Sequence, residues 1–188
     1  MIKNFLILLL SVAFFVGCSS DTDEPAYTPA STTVAHKTGV FYITGPVANL
    51  HYSTDTFEDE YTNEDGQFKY IDGEVVSFSV AGVDLGSAEG NVVITPINLV
   101  PGSAEAGASS AVNIGALLLS LDAGGIGSVL TMDNAVNAYT FASDFDITEL
   151  GDVLGLLSDL ANNENVESVD SSVLDDFSRY WDMLNLAS

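Results

Sequence analysis

The chain has 188 residues, and its 27 acidic residues against 4 lysines and arginines give a formal net charge of −23. This balance argues against nucleic-acid binding and against adsorption to anionic lipid headgroups, because both depend on basic patches. The length suits one domain of ordinary size or two small ones, and the single cysteine, Cys18, excludes a disulfide within the chain.

Residues 1–17 have the pattern of an export signal. Lys3 supplies a positive charge, and the run from Phe5 to Val16 is apolar except for Ser11. About a dozen apolar residues suit a signal peptide, whereas a membrane-spanning helix needs about 20. The sequence therefore predicts export across a membrane.

The apolar run ends in Val16-Gly17-Cys18, which resembles the lipobox of bacterial lipoproteins. The resemblance implies that the thiol of Cys18 carries a diacylglycerol, that cleavage precedes this residue and that the new amino group is acylated. Two or more acyl chains anchor a protein stably, whereas a single chain binds a membrane only marginally. Because Ser19 rather than Asp follows the cysteine, the resemblance also implies the outer membrane, on its periplasmic or its surface face. The alternative is an ordinary secretory signal, although Phe15-Val16-Gly17 lacks the small-x-small pattern of its cleavage site.

Residues 18–38 are rich in Ser, Thr, Pro and Asp and contain few large apolar side chains, which is typical of a disordered tether. From residue 39 to residue 101, short β-branched and aromatic runs are separated by Gly-containing turns. Apolar residues alternate in these runs, as at Val76, Phe78 and Val80. The pattern predicts a small antiparallel β-sandwich of about five to seven strands.

Residues 102–188 change to a helical period, which predicts three to four helices and an α+β fold class. We expect the helices to begin at Ser109 or Ser110, at Thr131, at Asp146 or Thr148, and at Ser171 or Ser172. The apolar stripe of the first helix contains Val112, Ile114, Leu117, Leu118 and Leu121. That of the third contains Ile147, Leu150, Leu154, Leu157 and Leu160, and that of the last Val173, Phe177, Tyr180, Trp181 and Leu184. Stripes of this width favour packing against a core over a groove for a partner helix.

The segment from Gly39 to Asp122 resembles a module of bacterial surface lipoproteins. The resemblance rests on the order of GVFYITGPVANLHYST, TNEDGQFKYIDGEVVSFSVAGVDLG, VVITPINLV and AVNIGALLLSLDAGG. It implies a carboxypeptidase-regulatory-like, prealbumin-like sandwich with a role in surface display rather than in chemistry. Such modules often carry an Asp-rich loop suited to Ca²⁺ after the Leu-Asp pair, whereas residues 121–127 contain one carboxylate, Asp122.

The densest group of acids lies in residues 55–65, DTFEDEYTNED, which has six acids in eleven positions. Ca²⁺ binds about six to eight oxygen ligands, and a loop between strands could supply them. The candidate ligands are Asp55, Glu58, Asp59, Glu64 and Asp65, with Glu60 between them. The alternative is a solvated hairpin loop whose charge protects a sheet edge from aggregation. The acidity of the whole chain favours solubility in a salty medium over cation binding, because the acids are spread along its length.

Catalytic patterns are absent from the sequence. It contains no Gly-x-Ser-x-Gly elbow and no His-Glu-x-x-His, and its two histidines, His36 and His51, are expected at the surface. We therefore expect no enzyme, but a lipid-anchored envelope protein that acts as a binding or structural module for another envelope protein or a polysaccharide. The alternatives are a Ca²⁺-dependent adhesin and an accessory subunit of an envelope hydrolase. A binding module should show an exposed apolar patch, whereas an enzyme should show a cleft with converging polar side chains.

Overall fold

The computed structural model describes residues 35–100, 106–124, 128–142 and 144–187. All of them belong to one compact unit, Val34–Ser188. The predicted signal peptide, the lipidation residue Cys18 and most of the predicted tether 18–38 lie outside the described residues. Strand β1 begins at Lys37, so the last two residues of that tether belong to the sheet.

The described residues form three small sheets. Their strands are β1 (Lys37–Phe41), β2 (Val47–Ala48), β3 (His51–Ser53), β4 (Glu60–Tyr61), β5 (Gln67–Tyr70), β6 (Val75–Val80), β7 (Val83–Glu89), β8 (Val93–Ile94) and β9 (Leu130–Thr131). The largest sheet is antiparallel, with the order β4-β3-β6-β7. The second sheet has the order β5-β1-β8, in which β8 pairs in parallel with β1, and the third is the parallel pair β2-β9.

The alternating runs take the predicted two-residue period. On β6, Val76, Phe78 and Val80 are buried and the residues between them face outward. The hairpin from β6 to β7 turns at Ala81 and Gly82, whose φ angles of 52° and 74° match the primed turns that suit twisted hairpins. The outward-facing side of β6 and β3 is therefore a polar surface, and it carries the site described below.

The helices are α1 (Ala106–Ser120), α2 (Asn134–Ala138), α3 (Leu150–Ala161) and α4 (Val173–Ala187), with a 3₁₀ turn at Pro96–Leu99. The α+β fold class is thus confirmed, with helices following the strand region. Every predicted core residue of the first stripe is buried, whereas Leu150 and Leu154 of the third stripe are exposed. The buried face of α3 is formed instead by Val153, Leu156, Leu157 and Leu160.

Helix starts differ from the prediction where a side chain has a local alternative to capping. Thr131 lies in β9, and the carboxylate of Asp133 caps α2 by accepting the Ala135 N–H at 2.6 Å. Asp146 accepts the N–H of Thr148 at 2.9 Å in a turn that precedes α3, so neither residue caps that helix. Such short side-chain turns compete with helix initiation.

One hydrophobic core joins the strand region to the helices. It contains Phe41, Phe68 and Phe78 from the strands together with Ile114 and Leu157 from the helices. The strands and the helices therefore pack around shared apolar residues. Strand β9, which follows α1 in the chain, pairs with β2.

Candidate functional site

The acidic segment lies in two connections around strand β4. Asp55, Glu58 and Asp59 lie between β3 and β4, and Glu64 and Asp65 lie in the turn before β5. All five side chains are exposed or partly exposed. Their charges are spread along two loops and do not converge on one point, as expected for like charges that repel each other in water.

The described residues contain no group of three or more His, Cys, Asp or Glu side chains placed to hold a metal ion. The candidate Ca²⁺ ligands all lie within that part of the chain, so the structure does not bring them together as a preformed site. Glu60 pairs across the sheet with Tyr52 at the edge of the largest sheet, as in the edge-protecting alternative. Ca²⁺ binding by the acidic segment stays a prediction, which titration of the protein with CaCl₂ would test.

A continuous hydrogen-bonded chain links three polar side chains on the outer face of the largest sheet. His51 of β3 lies directly opposite Ser79 of β6, and its Nδ1 lies 2.6 Å from the Ser79 Oγ. Its Nε2 lies 2.9 Å from the Oδ1 of Asp59, which stands at the end of the acidic connection. His51 is thus partly buried by its neighbours, in contrast to His36, which is exposed beside the ring of Phe57.

Both bonds of His51 are satisfied by one neutral tautomer. With the proton on Nε2, the ring donates to Asp59, and Nδ1 accepts the hydroxyl proton of Ser79. A nucleophile, a base and an orienting carboxylate in this order are the elements of a serine triad. The carboxylate here has a side chain 89% exposed, so water weakens its hold on the imidazole.

A small cavity of about 160 Å³ adjoins this chain. Besides the three polar residues, its lining includes Tyr61, the turn residues Ala81 and Gly82, and Asn137. Tyr61 packs against the imidazole of His51, with ring centroids 5.2 Å apart. Among the described residues, the Oδ1 of Asn137 is a buried acceptor without a hydrogen-bond partner.

The sequence alone did not identify Ser79. An alternating strand places Ser77 and Ser79 on the same outward face, but it does not show which strand pairs with β6. Only the pairing of β3 with β6 brings Ser79, 28 positions away in the chain, opposite His51. Only a prediction that β3 pairs with β6 in this register would have identified His51 and Ser79 as neighbours.

An uncharged surface lies on a different part of the molecule, around strand β8. Its exposed apolar residues are Tyr42, Val92, Val93 and Ile97, which are 41–66% exposed; we call them the β8 face. An open groove of about 250 Å³ adjoins it and is lined by Tyr42, Ile43, Thr95, Pro96, Ile97, Ala111, Val112, Gly115 and Leu184. None of these lining residues is an aspartate, glutamate, lysine, arginine or histidine.

Within the described residues, no helix combines the length and the apolar character needed to cross a bilayer. Comparison with protein-family models, with curated proteins and with solved structures gives no match.

Proposed function

We propose that this protein is a lipid-anchored component of the bacterial outer membrane that binds a partner through its β8 face. The anchor is supported by the apolar run of residues 5–16, followed by Gly17 and Cys18. The resemblance of residues 39–122 to a surface-lipoprotein module supports the same placement. The observation that carries the binding role is the β8 face itself.

The β8 face combines a lack of charge with exposure to solvent. Residues 38–54 and 106–121 carry no charged side chain, and neither do residues 90–104. Within that run, Val92 is 66% exposed and Val93 is 49% exposed. Contiguous exposed apolar surface, rimmed by polar residues, is typical of a site that another molecule covers.

Strand β8 is the edge strand of its sheet among the residues that the structure describes. The N–H groups of Val40 and Tyr42 donate to the carbonyls of Val92 and Ile94, at 3.0 and 2.9 Å. Because neighbouring residues of a strand point their main-chain groups in opposite directions, the N–H and C=O of Val93 point away from β1. Native edge strands are usually protected by charge, proline or a covering segment. The two residues of β8 include no charge or proline, and within the described part of the chain no strand pairs with its outer edge.

The chemistry of this surface favours a protein partner over a polysaccharide. An extended peptide can pair its main chain with Val93 and place apolar side chains in the groove, whereas a sugar chain needs hydrogen-bonding side chains. Two copies of the chain, each at −23, repel each other at long range. The partner is therefore a neutral or basic protein with an extended apolar segment.

The anchor is tested by intact-mass spectrometry of the protein made with its own leader in a bacterial host. We expect a chain that begins at Cys18 and carries a diacylglycerol and an N-linked acyl group. A Cys18→Ser variant should lose both modifications and should leave the membrane fraction. A wild-type chain that retains its first 17 residues without lipid would contradict the anchor.

The binding surface is tested by a photo-crosslinking amino acid placed at Val93 and, as a control, at Val75. Both valines are about half exposed, but Val75 lies on β6 and outside the β8 face. We expect a discrete protein adduct in intact cells from position 93 and none from position 75. Equal crosslinking at the two positions would refute the β8 face as the binding surface.

A further inference from the structure

We propose that Ser79 is an activated nucleophile and that the site around it hydrolyses small esters of the acetyl class. This inference goes beyond the binding role of the β8 face and shares no residue with that surface. It starts from the hydrogen-bonded order Ser79–His51–Asp59, with distances of 2.6 and 2.9 Å. An acceptor nitrogen at hydrogen-bond distance from a serine hydroxyl is the arrangement that general-base activation requires.

The backbone around Ser79 supports the assignment. Phe78 lies opposite Gly86 of β7 and Ser79 lies opposite Asp84, so the register shifts between them and the extra residue, Leu85, is on β7 beside the proposed nucleophile. Bulges re-aim side chains and are over-represented next to active sites. The serine is held in this position by the paired strands on both sides, β3 and β7, rather than by a loop.

The adjoining cavity of about 160 Å³ limits the acyl group to a small one. It is open to solvent at one side, and it suits an acetyl group with the alcohol part of the ester outside. The turn residues Ala81 and Gly82 line it. A two-residue hairpin turn leaves the N–H groups of its central residues outside the strand ladder. Those two groups are the donors available to stabilise a developing oxyanion.

The proposed reaction is an acyl transfer that passes through an acetyl-serine intermediate. The Oγ of Ser79 bonds to the ester carbonyl carbon while its proton passes to Nδ1 of His51. The ester C–O bond then breaks, and the leaving alkoxide takes that proton, which leaves acetyl-Ser79 and a free alcohol. Water next gives a proton to Nδ1 while its oxygen bonds to the acyl carbon. The bond between the acyl carbon and Oγ then breaks and Nδ1 returns the proton to Oγ, which releases acetic acid and restores the serine. Asp59 stabilises the transient imidazolium through Nε2.

The full chain in non-ionic detergent is treated with a fluorophosphonate probe and, separately, with p-nitrophenyl acetate. We expect the phosphonyl group on Ser79, located by peptide mass spectrometry, and site-dependent ester hydrolysis. Ser79→Ala should abolish both, and His51→Gln should slow them about 100-fold or more, the usual range for a general base. Asp59→Asn should cost about fivefold or less, because that carboxylate is exposed.

Ser77→Ala is the matched control for this experiment. Ser77 lies two residues earlier on the same face of β6, it is more exposed than Ser79, and it faces Ser53 and Ser87 instead of a histidine. We expect Ser77→Ala to react as the wild type does. Labelling that follows exposure, with Ser77 modified as readily as Ser79, would overturn the proposal.

A second pair of variants separates chemistry from a change in folding. In Ser79→Cys the thiol lies beside a base, so it should react with iodoacetamide at least tenfold faster than the thiol of Ser77→Cys, since the thiolate is the reactive form. Because alkylation is measured by mass spectrometry of separate peptides, any reaction at Cys18 is distinguished from reaction at position 77 or 79. Equal rates at the two positions would show that His51 only packs against its neighbours. If Ser79 of the wild-type protein is not labelled while the Cys18 anchor and the β8-face crosslink are intact, the esterase proposal fails and the proposed binding function stands.

Discussion

Thr62 offers a direct test of how the strand bearing His51 is held in place. It is buried, with 4% of its surface exposed. Its hydroxyl donates to the carbonyl of Val47 at 2.7 Å, and the same oxygen accepts the N–H of Leu50 at 2.9 Å. One side chain therefore satisfies two main-chain groups at the corner between β2 and β3.

Two substitutions separate the contribution of the Thr62 hydroxyl to stability from that of its methyl group. Thr62→Val keeps the shape but leaves the Val47 carbonyl and the Leu50 N–H without their partner, and each such buried group costs about 1–3 kcal/mol. Two such groups together cost about 2–6 kcal/mol, and we expect a loss of about 3 kcal/mol in the free energy of unfolding, in the lower half of that range. Thr62→Ser keeps the hydroxyl and removes one methyl group, which costs about 1 kcal/mol.

Urea unfolding of the full chain measures the difference through Trp181, the only tryptophan. Its indole N–H donates to Asn113 Oδ1 at 2.9 Å, so its fluorescence reports on the packing of α4 against α1. In a domain of this size, about 3 kcal/mol lowers the melting temperature by roughly 6–12 °C. If Thr62→Val were as stable as Thr62→Ser or more so, the hydroxyl would not be holding this corner.

Three further outcomes follow from other contacts. Asn49→Ala should lose about 1 kcal/mol more than Asn49→Gly in urea unfolding, because the φ of 55° at this residue strains alanine but not glycine; equal losses would contradict this. The pKa of Glu74 is lowered, chiefly by a hydrogen bond from Thr56 and also by the N–H of Ile71, so its stabilising effect is present above its ordinary pKa of 4.5 and lost as pH falls below it. The stability advantage of the wild type over Glu74→Gln should therefore shrink between pH 6 and pH 3.5, and an advantage that grew would reverse the sign. Millimolar CaCl₂ should raise the melting temperature no more than MgCl₂ does; a Ca²⁺-specific rise that disappears in Asp59→Asn would instead establish the calcium site.

The sequence predicted features that depend on local periodicity. Alternation in residues 75–80 and the Ala81-Gly82 turn yield the hairpin, and the stripe of α1 is buried as expected. Those features are encoded within a few residues, since a strand or helix repeats its facing direction every two or about 3.6 positions. The same reasoning was wrong for Leu150 and Leu154. Both lie on the predicted stripe of α3, but that helix packs through a face rotated toward Val153 and Leu156.

The features that sequence reasoning missed are those set by long-range pairing. Strand β9 pairs with β2 in parallel, and β8 pairs with β1 in parallel, and the alternating pattern of the sequence specifies neither pairing. Strands of two residues carry too little pattern to specify such partners. The Ser79–His51 contact has the same origin, because it exists only once β3 and β6 are in register.

The buried core and the exposed β8 face respond differently to a substitution. The core residues are apolar and enclosed, and a change there acts through stability. Val93 of the β8 face is half exposed, so a charge placed on it costs the fold little, usually within about 0.5 kcal/mol for a surface position. The absence of charge does not by itself mark this surface, because residues 38–54 and 106–121 also carry no charged side chain, as do residues 90–104. What distinguishes Val92 and Val93 is that they are apolar and 66% and 49% exposed. If the proposed partner covers them, an unpaired charge at either position would be strongly unfavourable in the interface, although it costs the isolated fold little.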